Sequence, residues 1–187
     1  MNDVNNLTGY FLLAMPSMTD PTFAKSVTLI CEHNEKGALG LMLNRPIDMS
    51  VEMLLNNLEL PTCNPSVKDR QVLLGGPVQT ERGFVLHSPL GDWQTTMRVF
   101  DNIGLTTSKD ILTALAAASE PTQWLITLGY AGWSAGQLED ELANNAWLTV
   151  PANASIIFDT PLEDRFDAAV NLLGIDFSNL SMTAGHA

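Results

Sequence analysis

The sequence predicts an α/β domain of the α+β type: a mixed sheet whose strands pair early, with helices attached later. Three observations point there. Short apolar runs bounded by Gly, Pro and Asn are concentrated in the first half of the chain. Apolar residues at helical spacing lie between and after them, without strict strand–helix alternation. The chain has 187 residues and is 45% hydrophobic, which suits one domain, 1–187, with its own core. Residues 1–6 and 182–187 carry no such pattern and are expected to be loosely held.

Residues 10–15 are a continuous apolar run ended by Pro16 and read as the first strand. Residues 26–32, rich in Val, Leu and Ile, read as the second, and 39–44 as the third. The segment 34–37 has the composition of a hairpin loop, and Pro46 keeps Arg45 out of helical conformation. Residues 51–58 predict a short amphipathic helix with Asp48 or Ser50 as its N-cap. Residues 71–75 and 83–87 read as a second strand pair joined through Gly76-Pro77. Residues 97–100, 123–128 and 154–158 read as further strands. Helices are expected over the Ala-rich stretch 108–118, stopped before Pro121, and over the acidic stretch 136–144. The last helix opens on Thr160-Pro161-Leu162-Glu163, a capping box with Pro at the first helical position. It carries Phe166, Ala169, Val170 and Leu173 at helical spacing and stops at Gly174.

Nine basic against 21 acidic residues leave a net charge of −12. Nucleic acids and anionic lipid surfaces are held through Lys and Arg, so this balance argues against direct DNA binding and against membrane docking. Eight of the acids fall within residues 138–187, where Arg165 is the only base, which predicts an acidic, solvated face. The first basic side chain is Lys25, and no apolar run approaches the ~20 residues of a membrane helix. The expected compartment is the cytoplasm. Cys31 and Cys63 read as free thiols of a reducing compartment. Cys31 then serves as a small core hydrophobe; the alternative, a redox-sensitive thiol, lacks a neighbouring Lys or Arg to lower its pKa. Two cysteines and three scattered histidines predict no metal site and no cofactor.

No phosphate-binding loop, dinucleotide fingerprint, zincin helix or G-x-S-x-G elbow occurs. The remaining candidates are looser. Cys31 and His33 are two apart, on one side of a strand, as a nucleophile and base could be; without a third, orienting group a structural histidine is the simpler reading. His87 closes the run 83–87. Arg45, after Asn44 at a strand end, could clamp a carboxylate or phosphate, or pair internally. Gly75-Gly76 forms a turn that a ligand could approach closely. Residues 129–139 run from a strand through a glycine-rich loop, 129–136, into a helix. An anion at that helix start competes with Glu139, Asp140 and Glu141, which already complement its positive end. Tyr130 and Trp133, flanking Gly132 and followed by Gln137, could wall an apolar pocket, anchor a partner or pack over the sheet.

These motifs form an ordered series. Gly9-Tyr-Phe-Leu-Leu-Ala-Met-Pro16, Ser26-Val27 through Cys31-Glu-His33 and Gly37-Ala-Leu-Gly-Leu-Met-Leu-Asn-Arg-Pro46 open it. Gly75-Gly-Pro-Val78, Gly83-Phe-Val-Leu-His87, Gly129-Tyr-Ala-Gly-Trp133 and Gly136-Gln-Leu-Glu139 continue it. Ile157-Phe-Asp-Thr-Pro161, Leu173-Gly-Ile175 and Gly185-His-Ala187 close it. Over nearly its whole length the chain resembles the AlgH/YqgE-like family of bacterial proteins. The resemblance implies a bifurcated, partly barrel-like sheet flanked by helices, and it brings no established enzyme activity. It also implies a link to transcriptional regulation of exopolysaccharide synthesis. The chain departs from the family at Arg165-Phe166, where a tryptophan is frequent.

The expected function is a binding or regulatory module that acts through a protein partner or small ligand. The alternatives are a transcriptional regulator, which the resemblance suggests, and an enzyme using His33 and His87. The segments at Asn44-Arg45, Gly75-Gly76 and 129–136 each lie just past an apolar strand. They are expected to form one composite surface, with Arg45, Gly76 and Gly132 within roughly 15 Å of one another.

Overall fold

The computed structural model describes residues 6–118 and 120–174. Ten strands form a sheet that curls into a half-barrel: β1 (Tyr10–Ala14), β2 (Val27–Asn34), β3 (Gly37–Met42), β4 (Pro46–Ser50), β5 (Gln71–Leu74), β6 (Val78–Ser88), β7 (Thr96–Phe100), β8 (Ile103–Thr106), β9 (Gln123–Ser134) and β10 (Trp147–Pro151). The order along the main path is β10-β1-β2-β3-β9-β6-β8-β7, and the pairing is antiparallel throughout that path. β4 pairs with β5, and β5 runs parallel to β9. One edge of β9 is therefore shared: Thr127 and Leu128 face β5, whereas Ala131–Ser134 face β3. This is where the sheet forks.

The fork corrects two expectations. The runs 71–75 and 83–87 do not pair with each other. They flank β9 on opposite edges, because Gly75-Gly76 carries the chain across it. A Cβ on Gly76 would lie 2.1 Å from the carbonyl carbon of Tyr130, and one on Gly75 2.3 Å from the Gly129 carbonyl oxygen. Such an approach is open only to bare backbone. Nor is 129–136 a loop: β9 continues through it to Ser134, and only Ala135 and Gly136 turn. Gly129, at φ +77°, changes the phase of the strand. Before it, Trp124 and Ile126 face one outer cluster; after it, Ala131 and Trp133 face another.

The helices cover both faces. α1 (Val51–Asn57) and α2 (Lys109–Ala116) place Val51, Leu55, Ile111 and Leu115 against Val72, Val85, Trp124 and Ile126. Ser50, of the two candidate caps, accepts the Met53 N–H at 3.0 Å. α3 (Gln137–Ala143) packs Leu138 on Leu12, Ala14, Ile30 and Trp133. α4 (Ala154–Phe158) and α5 (Arg165–Asn171) close the concave side over Phe11, Leu13, Leu29, Leu41 and Phe84. β1 is buried on both faces, Phe11 and Leu13 inward and Leu12 and Ala14 outward, so its sequence shows no alternation.

Residues 154–158 are a helix, not the expected strand. A five-residue apolar run carries no period that separates the two, and Asn153 decides it by accepting the Ile156 N–H at 3.2 Å. The capping box at 160–163 does not form: Thr160 donates to the Ser155 carbonyl, and a 3-10 turn, Leu162–Asp164, precedes α5. Strands β4, β8 and β10 were not expected; each is short, and β4 begins with Pro46. Apart from Asn6, the expectation of loosely held ends lies outside the described residues. No helix among the described residues is long and apolar enough to cross a membrane.

The crossing predicts a sharp contrast between two glycines. Gly76→Ala drives a methyl into the Tyr130 backbone and is expected to lower stability by about 3 kcal/mol or more. Gly83→Ala meets nothing closer than Leu128 Cδ2 at 3.8 Å and is expected to be nearly neutral. Urea unfolding of the two variants measures the difference.

Candidate functional site

Around the end of β9 lies an open hollow of about 500 Å3, walled by Tyr130, Gly132 and Trp133 and rimmed by Glu32, Asn34 and Lys36 from the β2–β3 hairpin. Tyr130 is half-buried and stands edge-on to Phe84, ring centroids 5.8 Å apart. Trp133 is buried and edge-on to Trp147 at 6.2 Å. Gly132 is exposed on the floor.

The acidic residues of α3 tie this region together. Glu141 Oε1 accepts both indole N–H groups, from Trp133 at 3.0 Å and Trp147 at 2.9 Å. Its Oε2 accepts from Gln137 Nε2 at 2.9 Å, and Gln137 Oε1 in turn accepts the Ser134 N–H at 3.0 Å. Glu139 Oε1 lies 2.6 Å from His33 Nε2. The Leu7 N–H donates to His33 Nδ1 at 3.0 Å, so Nε2 carries the proton and donates to Glu139. Burial works against the Glu139 charge, but its own backbone N–H and the His33 bond outweigh it and hold the carboxyl below its ordinary range. Helix-dipole reasoning on these three acids did not reveal the indole and imidazole partners. The Gln137–Glu141 spacing of four was the only local signal.

The other predicted residues serve different neighbours. Asn44 Oδ1 accepts the Val27 N–H at 3.1 Å, and its amide donates to the Lys25 carbonyl at 2.9 Å. Arg45 donates to the Ala24 carbonyl. Both thus anchor the start of β2. The Arg45 carbonyl accepts the Leu74 N–H at 2.7 Å, and Gly76 lies on Tyr130, so the backbones of the three expected segments do meet. None of Asn44, Arg45, Gly75 and Gly76 lines the hollow. The composite surface divides into a structural seam and an open site.

His87 sits three strands from His33, since β3 and β9 separate β2 from β6. It is fully buried, donates Nδ1–H to the Pro89 carbonyl at 3.0 Å and accepts the Thr106 hydroxyl at Nε2, 2.7 Å. Cys31 is 1% exposed and its thiol faces the Leu29 carbonyl; burial foremost, then Glu32, pushes its pKa far up, the reverse of a redox-sensitive thiol.

Two expectations follow. Glu141→Ala leaves two indole N–H groups without acceptors and is expected to cost about 2–3 kcal/mol, with a red shift of tryptophan fluorescence; Glu141→Gln loses less. Burial lowers the His87 pKa from its ordinary 6.5, only partly opposed by the bond to Pro89. Between the two values the unfolded chain binds a proton that the native one does not, so stability falls as pH drops below 6.5. Melting temperatures from pH 7.5 to 5 in the wild type and in His87→Gln isolate this contribution, and the slope is expected to flatten in the variant.

Comparison with known proteins agrees with this architecture. The AlgH-like family model matches residues 11–178. A UPF0301 protein of Azoarcus sp. (strain BH72) is 58% identical over 182 residues, 97% of either chain. One from Nitrosospira multiformis is 55% identical over 182 residues, 97% of this chain and 98% of that one. The solution structure of the AlgH protein from Pseudomonas aeruginosa superposes with a TM-score of 0.80 at 46% identity, covering 100% of this chain and 99% of that one. A Corynebacterium diphtheriae protein of 23% identity shares the fold, with a TM-score of 0.68 over 90% of this chain and 87% of its own. With a family model matched along most of its length and relatives identical at more than half of their positions, the chain belongs to the AlgH-like family.

Proposed function

We propose that the chain is a binding module which recognises a partner through the hollow between β2, β3 and β9, and that it works in the cytoplasm, where the free thiols of Cys31 and Cys63 persist. One observation carries this reading. The half-buried Tyr130 ring meets a polar rim, Glu32 and Lys36, in an open bowl, while the groups suited to chemistry are engaged elsewhere. Both ring nitrogens of His33 and both of His87 are engaged in internal hydrogen bonds, and the Cys31 thiol is buried. An open bowl suits a protruding loop or side chain of a protein better than an enclosed metabolite. Aromatic floors with charged rims are common anchoring surfaces in such contacts. The net charge of −12 favours a protein partner over nucleic acid.

The rim gives a test that spares the fold, because Glu32 and Lys36 are exposed. Tagged wild type and the double variant Glu32→Lys/Lys36→Glu are compared in pull-downs from native lysate, with melting temperatures as a control. The expected result is a co-purifying species lost from the variant at unchanged stability. Equal retention by both proteins would overturn the reading.

A further inference from the structure

A second cavity, about 360 Å3, opens between β5, the end of α4 and the start of α5. It shares no lining residue with the hollow. Two arginines line it. Arg165 is only 5% exposed; its Nη1 donates to the Leu43 carbonyl at 2.6 Å and its Nε to the Thr160 carbonyl at 3.1 Å. Arg70 stacks on the Trp124 ring, 4.0 Å from its centroid, and donates Nη2 to the Trp124 carbonyl. Every one of these partners is neutral. Among the described residues the sole ion pair is His33–Glu139, although the chain carries 21 acidic side chains. Asp69 and Asp159 also line the cavity but stand beyond ion-pair distance of both guanidinium groups. Asp159 accepts from Gln123 instead, at 3.4 Å.

Two cations facing one cavity with no carboxylate in ion-pair contact repel each other, and removing one of them from water adds to the cost. A guanidinium cannot escape by losing its proton at neutral pH. Burial first, and Arg70 second, bring Arg165 down to about 10, with Glu163 opposing, so both arginines stay charged. Arg165 Nη2 and Arg70 Nε and Nη1 make no hydrogen bond to a described residue. These are donors in the planar arrangement that matches a carboxylate or phosphate. Leu73, Leu125 and Phe158 supply an apolar stretch of wall, beside the polar Gln71 and Thr160.

We propose that this cavity binds a small organic anion, its carboxylate or phosphate seated between Arg70 and Arg165 and its apolar body against Leu125 and Phe158. The cavity lies within the size range of small-molecule sites, and the buried arginine head is fixed in advance by two carbonyls, so little ordering is lost on binding. The site stands independently of the partner surface at the hollow.

The test uses the full chain at constant ionic strength, titrated with phenyl phosphate, benzoate and inorganic phosphate, and read by calorimetry and thermal shift. Saturable binding of phenyl phosphate or benzoate, about tenfold tighter than that of inorganic phosphate, is the expected result, and the tighter aromatic anion identifies the headgroup. Arg70→Gln is expected to abolish it. Arg165→Gln removes the buried head and risks the fold, so Asp159→Asn supplies the independent variant. It keeps both arginines, removes a repelling carboxylate from an exposed wall, and is expected to tighten binding by roughly threefold. The proposal is overturned if neither aromatic anion saturates, if binding survives Arg70→Gln, or if Asp159→Asn weakens it.

Discussion

The fold depends on one steric constraint: two backbones in near contact where Gly75-Gly76 passes over Gly129 and Tyr130. This crossing lets β5 and β6, joined by the three residues Gly75-Gly76-Pro77, lie on opposite edges of β9. Without it β9 has one partner on each side and the sheet continues flat. With it, β9 holds three neighbours and the sheet divides. The concave core then needs α4 and α5 as a lid, and the outer face splits into two clusters on either side of the phase change at Gly129.

The ionic groups are unevenly used. Acids are abundant, yet those of α3 work as hydrogen-bond acceptors for indoles and an imidazole, fixing a helix of seven residues to the sheet. A helix that short draws its stability from tertiary contacts. The arginines at the opposite region bind carbonyls and an aromatic ring. Electrostatic pairing between unlike side chains contributes little to holding this molecule together; buried apolar surface and directed hydrogen bonds contribute most.

Much of the architecture was legible from local chemistry. Continuous apolar runs located β1 to β3, Ser50 caps α1 and α2 ends before Pro121, while α5 stops at Asn171, short of the expected Leu173 and Gly174. What was not legible depends on distant backbone. The glycines of 129–136 look like a flexible loop when only their neighbours in sequence are considered; Gly129 and Gly132 are strand residues, and the backbone of Gly76 and Val78 presses on Gly129. In the same way, Trp133 and Gln137 belong with a carboxylate on α3, and Arg165, which the sequence marked as a lone base and a departure from the family, projects 122 residues back to Leu43. Of the candidate site, Tyr130, Gly132 and Trp133 do share a hollow, while Asn44 and Arg45 were linked to it by strand-end reasoning that ignores which way a side chain turns.

The late position of β9 has a consequence for biosynthesis. On the ribosome, β3, β5 and β6 emerge well before the strand that joins them, and β1 waits for β10, more than 130 residues later, to cover its second edge. For most of translation the nascent chain therefore presents open strand edges and apolar faces that only the last third of the polypeptide can close. Such intermediates pair readily with other chains. A premature stop before residue 123 would leave the unsealed half of a sheet rather than a smaller folded unit. The cell's handling of this protein during synthesis, by chaperones or by slow elongation ahead of β9, bears on its yield as directly as the stability of the finished fold.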